Sequence, residues 1–488
     1  MTRRQQYLSI SLIILLCVVT RLPQLLSPYL VLDTDEAIVG LMSKHLYEGK
    51  NIPVFFYGQA FGFSLVECSA SAFMFLFTGV NHYGVKLGML LLWTLGMVFF
   101  YLGMLRVNEK NRVAALLFTI AFIVNPAWAV WSMKARGGYL TSVLFFSLFL
   151  FLLFGKNKTR LSWGAIGALA AMTYFSQPLW LPGLLPLLAY KTISEKGWRE
   201  KGFLFIGAII VLVPMLVAKH NASHFYAGTQ ADFSVSAAYE KLLSFPQYLF
   251  NGMRGSYVLG YILPASQACD IIGFICSECV WLLLLMGIYN LFDKERRNWL
   301  FISSVLSLLL SIVMVLFLEN NTRPRWLLAI PGYIIFALYL FYQIVPLKKF
   351  FRAALIALII PGLYAMWTFK DYQCNPTTNA QLVEVVNYIE KQGVHYVFSV
   401  CSALNSQLEF YSGEQIICRA KDPGDRYMPY YFAANNALAA GKPVAIIGYD
   451  SDHNGVPDNN NIIRINQYFI CLNADKKLLT NSGFLLEQ

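Results

Sequence analysis

The chain has 488 residues, of which 57% are hydrophobic and only 13% are charged, and its mean hydropathy is +0.52. This balance excludes an ordinary soluble enzyme and predicts a polytopic membrane protein. The net charge of +11 does not indicate nucleic-acid binding, because lysine and arginine fall in short clusters between apolar runs. That placement is the positive-inside pattern of membrane proteins, so no nucleic-acid partner is expected.

Apolar segments that approach the length of a bilayer span recur from residue 8 to residue 368. A helical span needs about 20 mostly apolar residues. With Arg3 and Arg4 in the cytoplasm, a count of about eleven spans places every dense basic cluster inside and the C-terminus outside. The predicted spans are Leu8–Leu26, Val85–Leu105, Val113–Trp131, Tyr139–Phe154, Leu161–Phe175, Leu179–Tyr190, Phe203–Ala218, Ile271–Leu291, Leu300–Leu318, Trp326–Val345 and Ala353–Thr368.

The first predicted outer loop, residues 27–84, is long and carries two predicted helices. Glu36–Glu48 has apolar residues at helical spacing and reads as an amphipathic helix. Leu65–Phe77 is apolar but short, and it contains Glu67. Making this segment a span would invert the side of every later basic cluster. We therefore expect it to lie in, or dip into, the outer membrane interface.

The composition changes near residue 370, where helical and strand patterns begin to alternate. This alternation predicts a small extracytoplasmic α/β domain at 370–488, after a transmembrane domain at 1–369. The predicted elements are a helix at Asn379–Gln392, strands at His395–Val400, Gln415–Arg419 and Pro443–Tyr449, and a helix at Pro429–Ala440.

Asp33, Asp35 and Glu36 follow directly after the first span and form the densest acidic cluster at a predicted membrane edge. One acid before a helix is explained by capping, since its carboxylate accepts from free N–H groups of the first turn. Three acids exceed that need, and their crowding raises the free energy of keeping all of them ionised. A cation, a basic partner or a shared proton would relieve this repulsion, so we favour a functional role.

Further polar residues lie at predicted outer edges of spans. Tyr57, Gln59 and Glu67 belong to an aromatic and glycine-rich stretch, and interface anchoring explains the tyrosine but not the two polar residues. Arg136 of the Arg-Gly-Gly-Tyr run opens one span and Arg325 of the Arg-Pro-Arg-Trp run opens another. Arginines there oppose the positive-inside bias. They are explained either by snorkelling toward headgroups or by recognition of a phosphate.

Four motifs together resemble the GT-C superfamily of integral membrane glycosyltransferases, and most closely its family 39 type. That type includes protein O-mannosyltransferases and the lipid A aminoarabinose transferase. The resemblance covers about residues 1–368 and rests on the order and placement of the motifs. They are Asp35-Glu36 in a long first outer loop, Tyr57-Gly58-Gln59 with Ser64-Leu65-Val66-Glu67, Arg136-Gly137-Gly138-Tyr139, and Arg323-Pro324-Arg325-Trp326.

The resemblance implies a chemistry for the chain. A hexosyl or pentosyl group linked through phosphate to a polyprenol would be transferred, with inversion, to a hydroxyl of a lipid, glycan or protein acceptor. The reaction would take place at the outer face of a bacterial plasma (inner) membrane, among membrane lipids. A carboxylate must accept the proton of the acceptor, and positive charge must stabilise the leaving phosphate.

The same resemblance implies roles for single residues. Asp35 would be the base, and Glu36 a second catalytic acid that orients it or the acceptor. Asp33 with Asp35 would hold a divalent cation, Mg²⁺, Mn²⁺ or Zn²⁺. Substrate contacts would come from Tyr57, Gln59, Glu67, Arg136, Tyr139, Arg323 and Arg325, with Arg325 and either Arg323 or Arg136 on the donor phosphate.

Two other function classes fit part of the sequence. A transporter or flippase of a lipid-linked sugar or another solute would also have many spans and acids at a cavity. Such proteins usually show internal repeats and ionisable groups near the bilayer midplane, whereas the polar groups here cluster at one face. A non-catalytic subunit of an envelope-assembly complex is the third interpretation, with the C-terminal domain as its binding module.

Overall fold

The computed structural model describes residues 3–125, 127–156, 158–222, 298–317, 328–345, 348–368, 378–421, 425–451 and 462–486, with short stretches between 234 and 289. Its first part is helical. The helices are α1 Arg3–Val19, α2 Leu22–Leu25, α3 Thr34–Tyr47, α4 Leu65–Thr78, α5 His82–Val107, α6 Arg112–Ile123, α7 Trp128–Trp131, α8 Tyr139–Leu153, α9 Arg160–Ser176, α10 Leu181–Ser194, α11 Trp198–Asn221, α12 Trp299–Leu316, α13 Ala329–Ile344 and α14 Lys348–Thr368.

Within the described ranges, four helical segments are long and apolar enough to cross a membrane: Arg4–Leu25, His82–Val107, Trp198–Asn221 and Trp299–Leu316. Shorter apolar helices accompany them, among them α8 and α13. These segments coincide with predicted spans, and the chain is a multi-pass membrane protein. The predicted span Ile271–Leu291 lies almost wholly outside the described residues, and the count of about eleven spans stays a prediction.

The predicted span Val113–Trp131 is wrong as a single helix, because it divides into α6 and the short α7. Asn125 makes the turn between them: its Oδ1 accepts from the N–H of Ala127 at 3.0 Å. The next residue in the sequence is a proline, which disfavours helical geometry in the residue before it. Arg21 then donates from its guanidinium to Ile123 O at 2.9 Å, so a carbonyl freed at the end of α6 is satisfied inside the protein.

The helix predicted at Leu65–Phe77 is observed as α4, whose 14 residues are short for a bilayer span, and its place at the membrane interface stays a prediction. It packs closely against α5. A Cβ added at Gly88 of α5 would lie 2.7 Å from the Cα of Ser71 in α4, so only glycine permits this approach. The tight contact fixes α4, and with it Glu67, against α5.

The C-terminal α/β unit, residues 378–486, contains a five-stranded mixed sheet in the order β2-β1-β3-β5-β4. The strands are β1 Tyr396–Ser399, β2 Ile417–Ala420, β3 Val444–Tyr449, β4 Ile462–Ile465 and β5 Tyr468–Cys471. β1 runs parallel to β2 and β3, whereas β5 runs antiparallel to β3 and β4. The helices of this unit are α15 Asn379–Lys391, α16 Ser402–Tyr411, α17 Met428–Ala439 and α18 Lys476–Asn481.

Successive strand residues face opposite sides of the sheet and build two apolar cores. Val397 packs with α15 and α16 on one side, and Phe398 packs with α17 and α18 on the other. The first three strands overlap the predicted ones, as do α15 and α17. One side of α16 packs on the sheet. Its outer side contacts the N-terminal, helical part of the chain.

α16 docks on α3, the helix that begins at the acidic cluster. A Cβ added at Gly40 would lie 2.7 Å from the ring of Phe410, so the two helices touch at a glycine. Gln407 Nε2 donates to Leu32 O at 2.7 Å, and Ser406 Oγ donates to Thr34 O at 2.9 Å. The C-terminal α/β unit is therefore fixed on the chain segment that carries the candidate site.

A second set of contacts fixes the other end of α3. Glu414 accepts from Lys44 and from Tyr430, and its Oε1 lies 2.9 Å from Nε2 of His45. Burial alone would raise the pKa of Glu414, but the hydrogen bonds from His45, Lys44 and Tyr430 hold it well below its usual range. An ionised Glu414 thus links α3 to α17.

Candidate active site

The acidic cluster begins α3 with a capping box. Asp33 Oδ1 accepts from the N–H of Glu36 at 3.0 Å, and Glu36 Oε2 accepts from the N–H of Asp33 at 3.1 Å. Asp33 and Glu36 therefore cap the helix, which is the simpler of the two roles considered for the acids. Their carboxylates accept from backbone N–H groups that have no partner within the first turn. The same two acids also carry ion pairs.

Asp33 lies between two cations. Its Oδ2 accepts from Lys134 Nζ and from a guanidinium nitrogen of Arg136 at 2.5 Å. Burial raises the pKa of Asp33, but the charges of Arg136 and Lys134 outweigh it and hold the pKa well below its usual range. The Mg²⁺, Mn²⁺ or Zn²⁺ expected at Asp33 and Asp35 does not fit these surroundings. Lys134 and Arg136 already pair with Asp33, and Arg136 and Arg426 already pair with Asp35, so a metal ion would add positive charge next to these cations.

Glu36 is completely buried. Its Oε1 accepts from Lys86 Nζ of α5 and from the N–H of Ala135 at 3.3 Å, and Lys134 Nζ lies 3.7 Å from Oε2. A side chain enclosed in this way does not contact a substrate. Glu36 instead fixes α3 against α5 and against the segment that carries Lys134, and its expected role in orienting Asp35 or the acceptor stays a prediction.

Asp35 is the most open acid of the three. Its side chain is 28% exposed, compared with 12% for Asp33 and 0% for Glu36. Arg136 lies 3.3 Å from its Oδ2, and Arg426 of the C-terminal α/β unit lies 3.4 Å from its Oδ1. Asp35 is thus the carboxylate that a substrate can reach, and two arginines hold it in place.

Glu67 holds the loop that presents Arg136, rather than a substrate or a metal. Its two carboxylate oxygens accept from the N–H groups of Gly137 and Gly138, each at 2.8 Å. Both glycines have positive φ, and a Cβ at Gly138 would lie 2.3 Å from Ser176 O. Complete burial raises the pKa of Glu67 to about 7 despite these hydrogen bonds. The substrate contact expected for Glu67 is corrected to a supporting one.

Of the other predicted contact residues, Tyr57 and Gln59 lie near the acidic cluster, whereas Tyr139 lies in the apolar core. Tyr57 Oη lies 2.7 Å from His45 Nδ1, and its ring packs on Tyr427 with centroids 4.6 Å apart. With its oxygen turned toward Arg426, the Gln59 carboxamide accepts from that guanidinium at 3.2 Å. Tyr139 is buried and packs on Trp131, so it belongs to the core instead.

Arg323 and Arg325, which were expected on the donor phosphate, lie outside the described residues. Sequence reasoning missed Lys86, Lys134 and Arg426. Lys86 carried a signal, since a lone lysine in the first turns of an apolar helix requires a partner. Lys134 also carried one, because it lies two residues from Arg136 at a predicted outer edge. Arg426 carried none, because its place depends on how the C-terminal α/β unit docks.

A cavity of about 230 Å³ opens beside Asp35, between α3 and the C-terminal α/β unit. Thr34 and Tyr57, from the N-terminal part of the chain, line one wall. Asn405, Glu409, Asp425 and Arg426, from the C-terminal α/β unit, line the other. Arg426 belongs both to the cavity wall and to the ion pair with Asp35. The cavity therefore adjoins the start of α3 and the arginine that pairs with Asp35.

No protein-family model and no curated protein matches the chain. Its structure resembles ArnT from Cupriavidus metallidurans bound to undecaprenyl phosphate, with a TM-score of 0.62 and 11% identity over 98% of this chain and 99% of that one. The apo ArnT structure gives a TM-score of 0.63 at 10% identity, covering 96% of this chain and 97% of that one.

A third similar structure is the arabinofuranosyltransferase AftD from Mycobacteria, with a TM-score of 0.51 and 13% identity. That match covers 92% of this chain but only 37% of AftD, which is much longer. The likeness to both proteins shows that the chain has the GT-C glycosyltransferase fold, as the sequence motifs predicted.

Proposed function

We propose that the protein is a membrane glycosyltransferase that moves a sugar from a polyprenyl-phosphate donor to an acceptor hydroxyl at the outer face of the plasma membrane. The fold supports a transferase with a lipid-linked donor, since one of the similar ArnT structures is bound to undecaprenyl phosphate. The observation that carries the proposal is Asp35, the partly exposed carboxylate of the acidic cluster, which lies between two arginines, one of which also lines the neighbouring cavity.

Asp35 acts as the general base. It accepts the proton of the acceptor hydroxyl while the hydroxyl oxygen bonds to the anomeric carbon, on the face opposite the phosphate. The bond between that carbon and the phosphate oxygen breaks, and its electron pair leaves with the polyprenyl phosphate. The products are a glycoside of inverted configuration, polyprenyl phosphate and a protonated Asp35, so atoms and charges balance.

The cations around the acids support departure of the phosphate. Four positive side chains, Lys86, Lys134, Arg136 and Arg426, face the three acids of the cluster. The surplus of positive charge favours an approaching anion, and fixed charges stabilise a leaving phosphate strongly where water is excluded. Arg136 and Arg426 also bring their forked donors to the side of the cluster at which Asp35 opens.

Asp35→Asn tests this proposal in cells. A strain that lacks the protein is expected to accumulate a polyprenyl-phosphate sugar and to lose that sugar from an envelope glycan, both seen by mass spectrometry. The wild-type protein should restore the glycan, and Asp35→Asn, at equal expression, should not. Asp450→Asn is the matched control, since Asp450 forms an exposed ion pair far along the chain. Restoration of the glycan by Asp35→Asn would remove Asp35 as the base.

A further inference from the structure

We propose that the cavity between α3 and the C-terminal α/β unit binds a sugar residue of the acceptor, through Asn405, Glu409 and Asp425 on one wall and tyrosine rings on another. This inference rests on the proposed glycosyl transfer and adds the class of acceptor to it: a carbohydrate rather than a simple lipid alcohol or a protein side chain.

The first observation is an unsatisfied polar atom in the cavity wall. Asn405 is only 7% exposed. Its Nδ2 donates to Asp425 Oδ1 at 2.6 Å, whereas its buried Oδ1 has no hydrogen-bond partner. Buried polar atoms without a partner are rare in folded proteins. Asn405 lines the cavity, so a small shift of its carboxamide would let a ligand hydroxyl donate to this oxygen.

The second observation is a pair of carboxyl groups on the same wall. Asp425 accepts from the N–H of Ala420 at 3.0 and 3.1 Å, and Glu409 Oε1 accepts from the N–H of Cys418 at 3.2 Å. Burial, together with the neighbouring negative charge of Asp425, raises the pKa of Glu409 well above its usual range. A protonated Glu409 beside Asp425 offers a donor and acceptors together, which is what a sugar hydroxyl requires.

The third observation is the shape and the apolar lining of the cavity. Tyr57, Tyr427 and Tyr430 supply aromatic surface next to the polar wall, and this combination is typical of small-molecule sites. At about 230 Å³, the cavity is smaller than the roughly 300–1,000 Å³ of drug-sized pockets. It therefore has room for a single sugar ring.

The position of the cavity identifies the occupant as the acceptor. Thr34 on the cavity wall directly precedes Asp35, and Arg426 contacts both the cavity and the Asp35 carboxylate. A hydroxyl at that end of the cavity lies beside the base. Much of the remaining wall belongs to the C-terminal α/β unit rather than to the apolar helices, where a polyprenyl chain would lie.

Binding of simple glycosides to the purified full-length protein in detergent tests the inference. The probes are methyl α-D-glucopyranoside, methyl α-D-mannopyranoside and methyl α-D-galactopyranoside, followed by saturation-transfer NMR. We expect the wild-type protein to bind at least one of them. Asn405→Leu should weaken that binding about tenfold or more, because it removes the free acceptor oxygen.

Ala403→Phe is the second variant. It fills the cavity and leaves in place the hydrogen bond that Ala403 accepts through its backbone oxygen from Thr34. Asn436→Leu is the matched control, because Asn436 is exposed on α17. This control should bind like the wild-type protein. Absence of binding to the wild-type protein, or unchanged binding in both cavity variants, would overturn the inference.

The two proposals fail separately. Asp35→Asn should abolish restoration of the envelope glycan while it keeps glycoside binding, because Asp35 is not required to hold the sugar. If glycan restoration depends on Asp35 but no glycoside binds, the transferase stands and the carbohydrate acceptor site falls. If glycosides bind through Asn405 but Asp35→Asn restores the glycan, the site stands and the proposed base falls.

Discussion

Asp35 and Glu36 are neighbours in the sequence with opposite surroundings, and the helix explains why. Successive residues of an α-helix point about 100° apart, so Glu36 turns toward Lys86 while Asp35 turns toward Arg136 and Arg426. The sequence showed that acids cluster here. It did not show which acid is enclosed, since that depends on Lys86 and Lys134 arriving from other elements.

Lys86→Met tests the buried pair at Glu36. The substitution leaves a completely buried carboxylate without its closest cation, and breaking such a pair costs about 3–5 kcal/mol. We expect the unfolding temperature to fall sharply, by calorimetry or by fluorescence. The double variant Lys86→Met with Glu36→Gln should recover part of the loss. An unchanged unfolding temperature in Lys86→Met would show that Glu36 does not depend on this partner.

The carboxyl pair of the cavity gives a pH dependence. Burial raises the pKa of Asp425 to about 6 and that of Glu409 well above its usual range. Groups with raised pKa stabilise the folded state below their unfolded pKa, and this contribution is lost as the pH rises through the folded pKa. As the pH rises above the usual range of glutamate pKa values, the Glu409→Gln variant should therefore lose less free energy of unfolding than the wild-type protein.

Glutamine mimics the protonated acid and does not ionise, which is the reason for that difference. Unfolding temperatures across the pH range would measure it. Glu384→Gln is the control, since the exposed Glu384 carboxylate only accepts from Asn466 at the surface. Parallel pH profiles for Glu409→Gln and the wild-type protein would contradict a protonated Glu409.

At the scale of elements, the length of an apolar run predicts a helix well, but it does not show where the helix breaks. The predicted span Tyr139–Phe154 differs from α8 by one residue at its C-terminal end, and Leu161–Phe175 differs from α9 by one residue at each end. The prediction of one helix over Val113–Trp131 was wrong because Asn125 turns the chain. Arg21 then satisfies a carbonyl that this turn frees. Such compensation comes from distant residues.

Gly138→Ala tests the loop that joins Glu67 to Arg136. A Cβ there would lie 2.3 Å from Ser176 O, and φ is already +109°. We expect misplacement of Arg136, a lower unfolding temperature and loss of glycan restoration. Gly79→Ala is the matched control, because its φ is also positive, at +70°, but no atom lies within 4 Å of its Cβ position. Equal effects of the two substitutions would contradict a specific role of the loop.

At the scale of the whole molecule, the candidate site exists because two parts of the chain meet. Arg426 reaches Asp35 across 391 positions, and Glu414 reaches His45 across 369. The GT-C fold was accessible from local motifs and their order, and Asp35 as the proposed base was chosen from the same motifs. The arginine, the cavity and the carboxyl pair were not, because each depends on the docking of the C-terminal α/β unit against α3.

The most direct test of the proposed transfer uses purified protein in liposomes. Lipid-linked sugar accumulated by the strain that lacks the protein would be the donor, and an envelope extract would supply the acceptor. We predict that the wild-type protein and Asp450→Asn release polyprenyl phosphate and form a glycoside. Asp35→Asn should be slower by about 10²-fold or more, as for loss of a general base. Movement of intact donor across the bilayer, with no polyprenyl phosphate formed, would contradict the account and identify a transporter.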